Sequence, residues 1–297
     1  MSRIHDALKR AEQERATSMG THVEPVLEQP EAPQIAMPPL QQSTRESAMT
    51  ASGLTYETLL ARCPQTSWAP DPRTMLFFQD DETRLGTEEF RTLRTRLYQI
   101  REKMPLKRLL VTSALPKEGK SFVAANLGQV LVRQHGRRAL VIDADLRNPG
   151  MHRHLGTKQT PGLSEYLLGE NDELAGLQRG PMENLFFLPA GRAAASAPEL
   201  LANGRLKLLL QRLEPLFDWI ILDSSPVILV SDSTLVAHLC DGILMVVRSN
   251  VTPADMARRA RAEFPDKLLL GVVLNGASPD KLAQSKYYYG EAVSSQA

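Results

Sequence analysis

Apolar runs of strand length alternate with helical patterns from about residue 83 onward in this 297-residue chain. The runs are apolar at successive positions, which predicts strands that are covered on both faces. Alternating strands and helices predict an α/β fold of the P-loop NTPase-like, doubly wound type, with a mainly parallel sheet and helices on both faces. The strand-like runs cover 107–113, 139–143, 184–189, 219–223, 243–248 and 268–275, and helical patterns include 120–134 and 253–264.

The segments that flank this domain have a different composition. Residues 1–17 show apolar spacing typical of a short amphipathic helix, although a frayed tail is the alternative. Residues 18–82 are rich in Pro, Gln and Glu, which predicts a disordered N-terminal linker, with a short helix over 56–60. The domain then extends over 83–283, and a flexible tail over 284–297 carries three of the six tyrosines of the chain.

Composition excludes several classes of protein. Lysine plus arginine number 35 against 34 acidic residues, so no net field attracts the chain to nucleic acid or to an anionic membrane. The two cysteines, Cys63 and Cys240, lie far apart, which fits a reducing compartment. No apolar run approaches the roughly 18 residues of a membrane helix. We therefore expect a cytoplasmic protein without direct membrane insertion, in which any membrane connection comes through a partner.

The segment 113–121 joins a predicted strand to a predicted helix and ends in Gly-Lys-Ser. Backbone N–H groups at a helix N-terminus bind phosphate, and Gly119 allows close approach. Lys120 places a charge on the β- and γ-phosphates of ATP, and the Ser121 hydroxyl joins the magnesium shell. The general pattern has its first glycine where Ala114 stands. The predicted ATP-binding positions in this loop are Pro116, Lys117, Glu118, Gly119, Lys120, Ser121 and Phe122.

Two apolar runs end in aspartate, which places the acidic groups at strand ends. Asp143 and Asp145 follow one run, and Asp223 ends another. Because parallel strands point the same way, these side chains are expected beside the phosphate loop. Asp223 would share the magnesium ion with Ser121, and Asp143 or Asp145 would act as base or as a further metal contact. Capping of turns is the alternative role for these aspartates. Which of Asp143 and Asp145 is the base stays open. The predicted catalytic set consists of Lys120 and the three aspartates.

These motifs resemble those of the bacterial tyrosine kinases (BY-kinases), the cytoplasmic autokinases of exopolysaccharide and capsule export. The resemblance covers about residues 83–290. It rests on the loop Ser-x-x-Pro-x-Glu-Gly-Lys-Ser that begins at Ser113, on Asp-x-Asp-x-Arg ending in Arg147, and on Asp-x-x-Pro from Asp223 to Pro226. Lys117 stands where family members often have glycine, which could alter the loop geometry.

The resemblance implies further sites and partners. A Glu-x-x-Arg-x-x-Arg helix would contact a neighbouring subunit of a homo-oligomeric ring, and the tyrosine cluster in the tail would be the autophosphorylation site. Asn275 matches the position that contacts adenine. A separate membrane chain-length-determinant protein, a polysaccharide co-polymerase, would recruit and activate the chain at the inner face of the membrane. The implied interface residues are Glu88, Arg91 and Arg94, and the implied phosphoacceptors are Tyr287, Tyr288 and Tyr289.

The sequence favours an ATP-dependent protein-tyrosine autokinase that acts in trans and regulates polysaccharide polymerisation and export. One alternative is a switch ATPase of the plasmid-partition or division-site type. Such proteins carry an extra lysine early in the P-loop, at the position five before Lys120, which is Leu115 here. A non-catalytic, ATP-gated scaffold of the export machine is the other alternative.

Overall fold

Strands and helices alternate through residues 54–78, 84–264 and 269–277, which are the residues that the computed structural model describes. The helices are α1 (Tyr56–Arg62), α2 (Thr87–Arg101), α3 (Lys120–Val132), α4 (Met151–Leu155), α5 (Leu163–Leu168), α6 (Ala197–Ala202), α7 (Arg205–Leu213), α8 (Asp232–Ala237) and α9 (Ala254–Ala262). The strands are β1 (Arg108–Ser113), β2 (Ala139–Asp143), β3 (Gln178–Arg179), β4 (Leu185–Leu188), β5 (Trp219–Asp223), β6 (Gly242–Arg248) and β7 (Leu269–Asn275). A 3₁₀ turn, Glu214–Leu216, follows α7.

The strands form one sheet in the order β3-β4-β2-β5-β1-β6-β7. Each neighbouring pair is parallel except β3 with β4, which is antiparallel. Because β1, β2 and β5 are parallel neighbours, their carboxyl ends meet at one edge of the sheet. Asp223 is in register with Asp143 on one side and with Val111 on the other. The mainly parallel sheet that the sequence predicts is confirmed.

Helices cover the central strands on both faces, as predicted. Leu109 and Val111 of β1 pack in the layer formed with α2 and α3. Leu110, between them, packs in the opposite layer, to which α5, α6, α7 and α8 contribute. The predicted strands appear within one or two residues of their expected ends, because an unbroken apolar run has no place except between two such layers.

The edge strand β7 departs from that expectation. Val272 and Leu274 are more than half exposed, whereas their neighbour Val273 packs against the core. Coverage of both faces, inferred from the apolar run, is therefore wrong for β7. β7 lies at the edge of the sheet and has only one neighbouring strand, β6.

The predicted linker is wrong over residues 54–78. This stretch contains α1, which includes the short helix expected over 56–60, and it buries large apolar side chains. Leu59 and Met75 are fully buried, and the Trp68 ring packs edge-on against Phe187 with centroids 6.3 Å apart. The linker prediction averaged composition over a long polar stretch and missed this local concentration of apolar residues. The remainder of that linker lies outside the described residues, as do the predicted helix over 1–17 and the tail over 284–297.

Two buried amides of α3 hold the strap, which we define as residues 71–78. The Asn126 side chain accepts from the Leu76 N–H at 2.8 Å and donates to the Thr74 carbonyl at 2.8 Å. Gln129 accepts from the Phe77 N–H at 3.1 Å. The strap runs beside the helix without strand partners, so these side chains satisfy backbone groups that burial would otherwise leave unpaired.

Among the described residues, every helix is too short or too polar to span a membrane.

Replacing Asn126 with alanine tests the anchoring of the strap. Asn126→Ala leaves the Leu76 N–H and the Thr74 carbonyl without their partner, and a buried unsatisfied group costs about 1–3 kcal/mol. We expect the free energy of unfolding in urea to fall by that amount. Gln99→Ala, at an exposed position of α2, is the control and should change it by less than about 0.5 kcal/mol. Equal unfolding midpoints for both variants would contradict this role of Asn126.

A candidate nucleotide site at the carboxyl edge of the sheet

The phosphate loop connects β1 to the first residue of α3. Gly119 caps the helix with a φ of 93°, in the left-handed region that favours glycine. A Cβ at this position would lie 2.0 Å from Nδ2 of Asn275, so a side chain is excluded on steric grounds as well. The first N–H groups of α3 have no partner within the helix and are directed into the loop, as phosphate binding requires.

Lys120, at the start of α3, reaches across the sheet edge to two strand ends. Its Nζ lies 2.8 Å from Oδ2 of Asp145 and 3.9 Å from Oδ1 of Asp223. Burial disfavours the charged ammonium, but the two carboxylates outweigh burial and the pKa of Lys120 is raised. The lysine therefore stays positively charged at the N-terminus of the helix, where a phosphate would bind.

Asp223 ends β5 and is fully buried. Neither of its carboxylate oxygens forms a hydrogen bond of ordinary geometry with the residues that the structure describes. Burial raises the pKa of Asp223 to about 7, against the opposing effect of Lys120. Two buried carboxylate oxygens without hydrogen bonds form a ligand set that suits magnesium, which takes carboxylate and hydroxyl oxygens. The nearby side chain of Ser121, another predicted metal ligand, lowers the pKa of this aspartate.

The two aspartates after β2 differ in their contacts. Asp143 accepts backbone N–H groups of its own loop, from Asp145 at 3.2 Å, Gly150 at 3.3 Å and Met151 at 3.2 Å. Burial raises the pKa of Asp143 to about 6, with Lys120 opposing. Asp145 accepts the Asn148 N–H at 3.2 Å and the Ser225 hydroxyl at 2.8 Å, both through Oδ1, and its Oδ2 contacts Lys120. Asp143 thus organises the loop, whereas Asp145 faces the lysine.

Asn275 and Phe122 lie beside the loop in ways that the sequence did not specify. The Asn275 amide donates to the Glu118 carbonyl at 2.8 Å, so this strand end supports the phosphate loop directly. Phe122 packs edge-on against Phe90 of α2 with ring centroids 5.8 Å apart. Its part in nucleotide binding would therefore come from its backbone N–H. The adenine contact of Asn275 stays a prediction.

No family model matches the chain. Its similarity to individual known proteins nevertheless shows its family. The tyrosine-protein kinase YwqD of Bacillus subtilis is 32% identical over 206 residues, which are 69% of this chain and 86% of that protein. The chain belongs to the bacterial tyrosine kinases. It is a protein-tyrosine kinase, and the resemblance seen in its motifs is confirmed.

Two further proteins resemble this tyrosine kinase. The kinase domain of the Escherichia coli tyrosine kinase ETK superposes with a TM-score of 0.64 at 28% identity, over 71% of this chain and 81% of that one. The succinoglycan biosynthesis transport protein ExoP of Rhizobium meliloti is 35% identical over 187 residues, which are 61% of this chain but 24% of that protein. The kinase fold is thus shared, whereas most of ExoP has no counterpart in the match.

The implied interface of the kinase lies on α2. Glu88 and Arg91 form an ion pair with each other one turn apart, with the glutamate largely exposed. Arg94 donates to the Val130 carbonyl in the last turn of α3 at 3.2 Å. An apolar stripe of α2 packs on the domain, with Phe90 and Leu97 buried. A role of the charged face in subunit contact stays a prediction.

Sequence reasoning missed several residues that shape the site of this kinase. Ser225 occupies an unassigned position of the Asp-x-x-Pro motif, yet its hydroxyl binds Asp145. Arg147, noted only as part of a motif, forms an ion pair with the fully buried Asp232 at the start of α8, Nε to Oδ2 at 2.7 Å. Thr252 gave no signal at all, since a single threonine after a strand is common. Its hydroxyl donates to the Glu118 carboxylate.

The raised pKa of Asp223 predicts that the folded kinase, free of nucleotide and metal, loses stability as the pH rises. Relative to the ordinary value of 3.8, a folded-state pKa of about 7 means that the folded protein holds this proton more tightly than the unfolded chain. The resulting stabilisation is complete below about pH 4 and is lost as the pH rises through about 7. Asp223→Asn abolishes this titration, so its melting temperature relative to wild type should rise from pH 5 to pH 8 in EDTA.

The comparison uses differences between proteins because Asp143 titrates in both. Glu57→Gln, which changes an exposed carboxylate of α1, is the control and should show no such trend. A difference between Asp223→Asn and wild type that is constant with pH would show that the buried carboxylate carries no such cost.

Proposed function

We propose that this tyrosine kinase is an autokinase that uses ATP and magnesium to phosphorylate the cluster Tyr287, Tyr288 and Tyr289 on a neighbouring copy of the chain. The observation that carries the proposal is the convergence of Lys120 with Asp145 and Asp223, at 2.8 and 3.9 Å, beside the N-terminus of α3. Phosphoryl transfer depends mostly on positioning and on charge stabilisation. The lysine and the two aspartates supply both the positioning and the charge stabilisation.

Each residue has a distinct task in the proposed reaction. Asp223 and the Ser121 hydroxyl would hold the magnesium ion, which neutralises charge on the β- and γ-phosphates. Lys120 stabilises the negative charge that develops as the bond from the γ-phosphorus to the bridging oxygen breaks. The tyrosine oxygen forms the new bond to phosphorus, and its proton passes to a carboxylate at this edge and then to solvent.

Asp145 is the better candidate for that carboxylate. The oxygens of Asp143 accept backbone N–H groups of its own loop, so Asp143 is committed to holding the loop. Oδ2 of Asp145, by contrast, contacts only Lys120 among the described residues. When Lys120 turns toward phosphate, Oδ2 becomes free to accept the tyrosine proton.

The proposed biological role is control of exopolysaccharide or capsule polymerisation and export. It is supported by the similarity to a protein named for succinoglycan biosynthesis and transport. In this role the chain forms a homo-oligomeric ring through α2 and is recruited to the inner face of the membrane by a chain-length-determinant protein. Leu115, where a switch ATPase of the partition type carries lysine, argues against that alternative.

Phosphotyrosine formation tests the proposed activity. Purified full-length chain is incubated with ATP and magnesium and probed for phosphotyrosine. Wild type and Tyr56→Phe, a control outside the cluster, should give equal signal. Lys120→Met should give a signal at least a hundredfold lower, because a charge-stabilising group is lost. The triple variant Tyr287→Phe, Tyr288→Phe and Tyr289→Phe should lose most of the signal.

Mixing two inactive variants tests transfer between subunits. Lys120→Met retains the tail, and the triple phenylalanine variant retains the site, so transfer in trans restores phosphotyrosine on the Lys120→Met chain.

ATP turnover without phosphotyrosine in wild type would favour the switch ATPase. Absence of both activities would favour the scaffold.

Phosphorylation of the tail should loosen the proposed ring. Each phosphotyrosine adds about −1.5 to −2 charge, which raises repulsion between subunits that are held close together. Fully phosphorylated chain should therefore sediment as a smaller species than chain without phosphate at the same concentration. Indistinguishable sedimentation of the two forms would refute this part of the proposal.

A further inference from the structure

A glutamate occupies the middle of the phosphate loop, where a negative charge would repel ATP. Glu118 is only 2% exposed, and its carboxylate lies between Leu115 and Thr252. Oε2 accepts the Leu115 N–H at 2.7 Å, and Oε1 accepts the Thr252 hydroxyl. Both oxygens are therefore occupied by donors from the protein, and the carboxylate is bound between the loop and the turn after β6.

The residues on either side of Glu118 have unusual backbone conformations. Lys117 has a φ of 64° and Gly119 a φ of 93°. A non-glycine residue in the left-handed region is strained and persists only where its surroundings enforce it. Glu118 lies between these two positions, so contacts made by Glu118 determine whether the peptide groups around it stay in this conformation.

Two more contacts join the same stretch to the ends of β6 and β7. Arg248 Nη1 donates to the Lys117 carbonyl at 3.0 Å, and Asn275 donates to the Glu118 carbonyl at 2.8 Å. Thr252 is itself held in place, because its Oγ1 accepts the Arg248 N–H at 3.1 Å while its hydroxyl donates to Glu118. The two strand ends are also joined, since the Ser249 N–H donates to the Asn275 carbonyl at 2.8 Å.

We propose that Glu118 and Thr252 are positioning residues that form a brace, which keeps the Lys117–Gly119 backbone in its phosphate-binding conformation. The inference rests on the proposed binding of ATP at this loop. Neither side chain contacts the reacting atoms. The brace sets the affinity of the loop for the triphosphate by holding its N–H groups in a convergent arrangement before nucleotide arrives, which lowers the entropy lost on binding.

Replacing the threonine hydroxyl is the direct test. Thr252→Val keeps the shape of the side chain but removes the donor to Glu118, and Thr252→Ser restores it. We expect Thr252→Val to raise the dissociation constant for magnesium with the fluorescent analogue mant-ATP about tenfold, and the KM for ATP with it, while kcat falls less than twofold. Thr252→Ser should bind within about twofold of wild type.

Thr66→Val is the matched control. The Thr66 hydroxyl also donates to a protein oxygen, the Arg179 carbonyl at 3.2 Å, but at the opposite edge of the sheet. This variant should bind mant-ATP as wild type does. Melting temperatures of all variants in the absence of nucleotide identify any that fail to fold. Equal affinities for Thr252→Val and Thr66→Val would overturn the proposal.

A double-mutant cycle tests whether the two residues act as one unit. Glu118→Met keeps the length of the side chain but removes both acceptor oxygens, so neither the Leu115 N–H nor the Thr252 hydroxyl keeps its partner. If the brace acts as a unit, Glu118→Met combined with Thr252→Val should bind about as weakly as the weaker single variant. Additive losses would show that the two side chains act separately and would contradict the brace.

Amide exchange in the nucleotide-free protein provides a measurement that does not require ATP binding. The Leu115 N–H should exchange at least fivefold faster in Glu118→Met than in Thr66→Val, because its acceptor is removed. Unchanged exchange would refute the brace even if no nucleotide binds. Conversely, mant-ATP binding that depends on the brace in a protein that forms no phosphotyrosine would leave the brace intact and remove only the autokinase proposal.

Discussion

Three buried aspartates and one partly buried lysine lie together at the carboxyl edge of the sheet, and their unequal charges constrain the structure around them. If all ionise, Lys120 balances only one of the charges on Asp143, Asp145 and Asp223, leaving a formal charge of −2. Burial of unbalanced charge is costly, so the protein must hold protons on these carboxylates or receive positive charge from outside. The raised pKa values of Asp143 and Asp223 are the first response, and a divalent cation would be the second.

The fold around this cluster serves to hold it in place. Parallel pairing of β2, β5 and β1 brings two acidic strand ends and the phosphate loop to one edge, and apolar layers on both faces fix the strands. The ion pair of Arg147 with Asp232 ties the loop after β2 to the helix that follows β5. The Ser225–Asp145 contact makes a second tie between the same two segments. The acidic groups therefore cannot move apart to relieve their repulsion without disrupting several buried contacts.

Much of this arrangement could be predicted from the sequence, because its strongest determinants are local. An apolar run that ends in aspartate defines a strand and the position of its polar end at once, which is why β2 and β5 were located together with Asp143 and Asp223. The Gly-Lys-Ser turn has a similarly specific local meaning. The family resemblance followed from the order of these motifs, and it is confirmed.

The features that sequence reasoning missed depend on contacts between distant segments. The strap is ordered because Asn126 and Gln129 turn polar groups inward from a helix, and no periodicity marks a buried amide. The inward turn of Glu118 depends on Thr252, which lies far along the chain. The exposed side of β7 depends on its place at the edge of the sheet. Each of these is a property of the assembled domain rather than of one segment.

The position of β7 limits where the proposed acceptor tyrosines can lie. This strand ends beside the phosphate loop, where the Asn275 amide donates to the Glu118 carbonyl. Nine residues lie between Ala277 and Tyr287, so the chain allows at most about 35 Å between them. A tether of that length would hold the proposed acceptor at a high local concentration near any site within its reach and near no other. In the proposed ring, the spacing and orientation of adjacent subunits, more than recognition of the residues around each tyrosine, would then select which chain is modified.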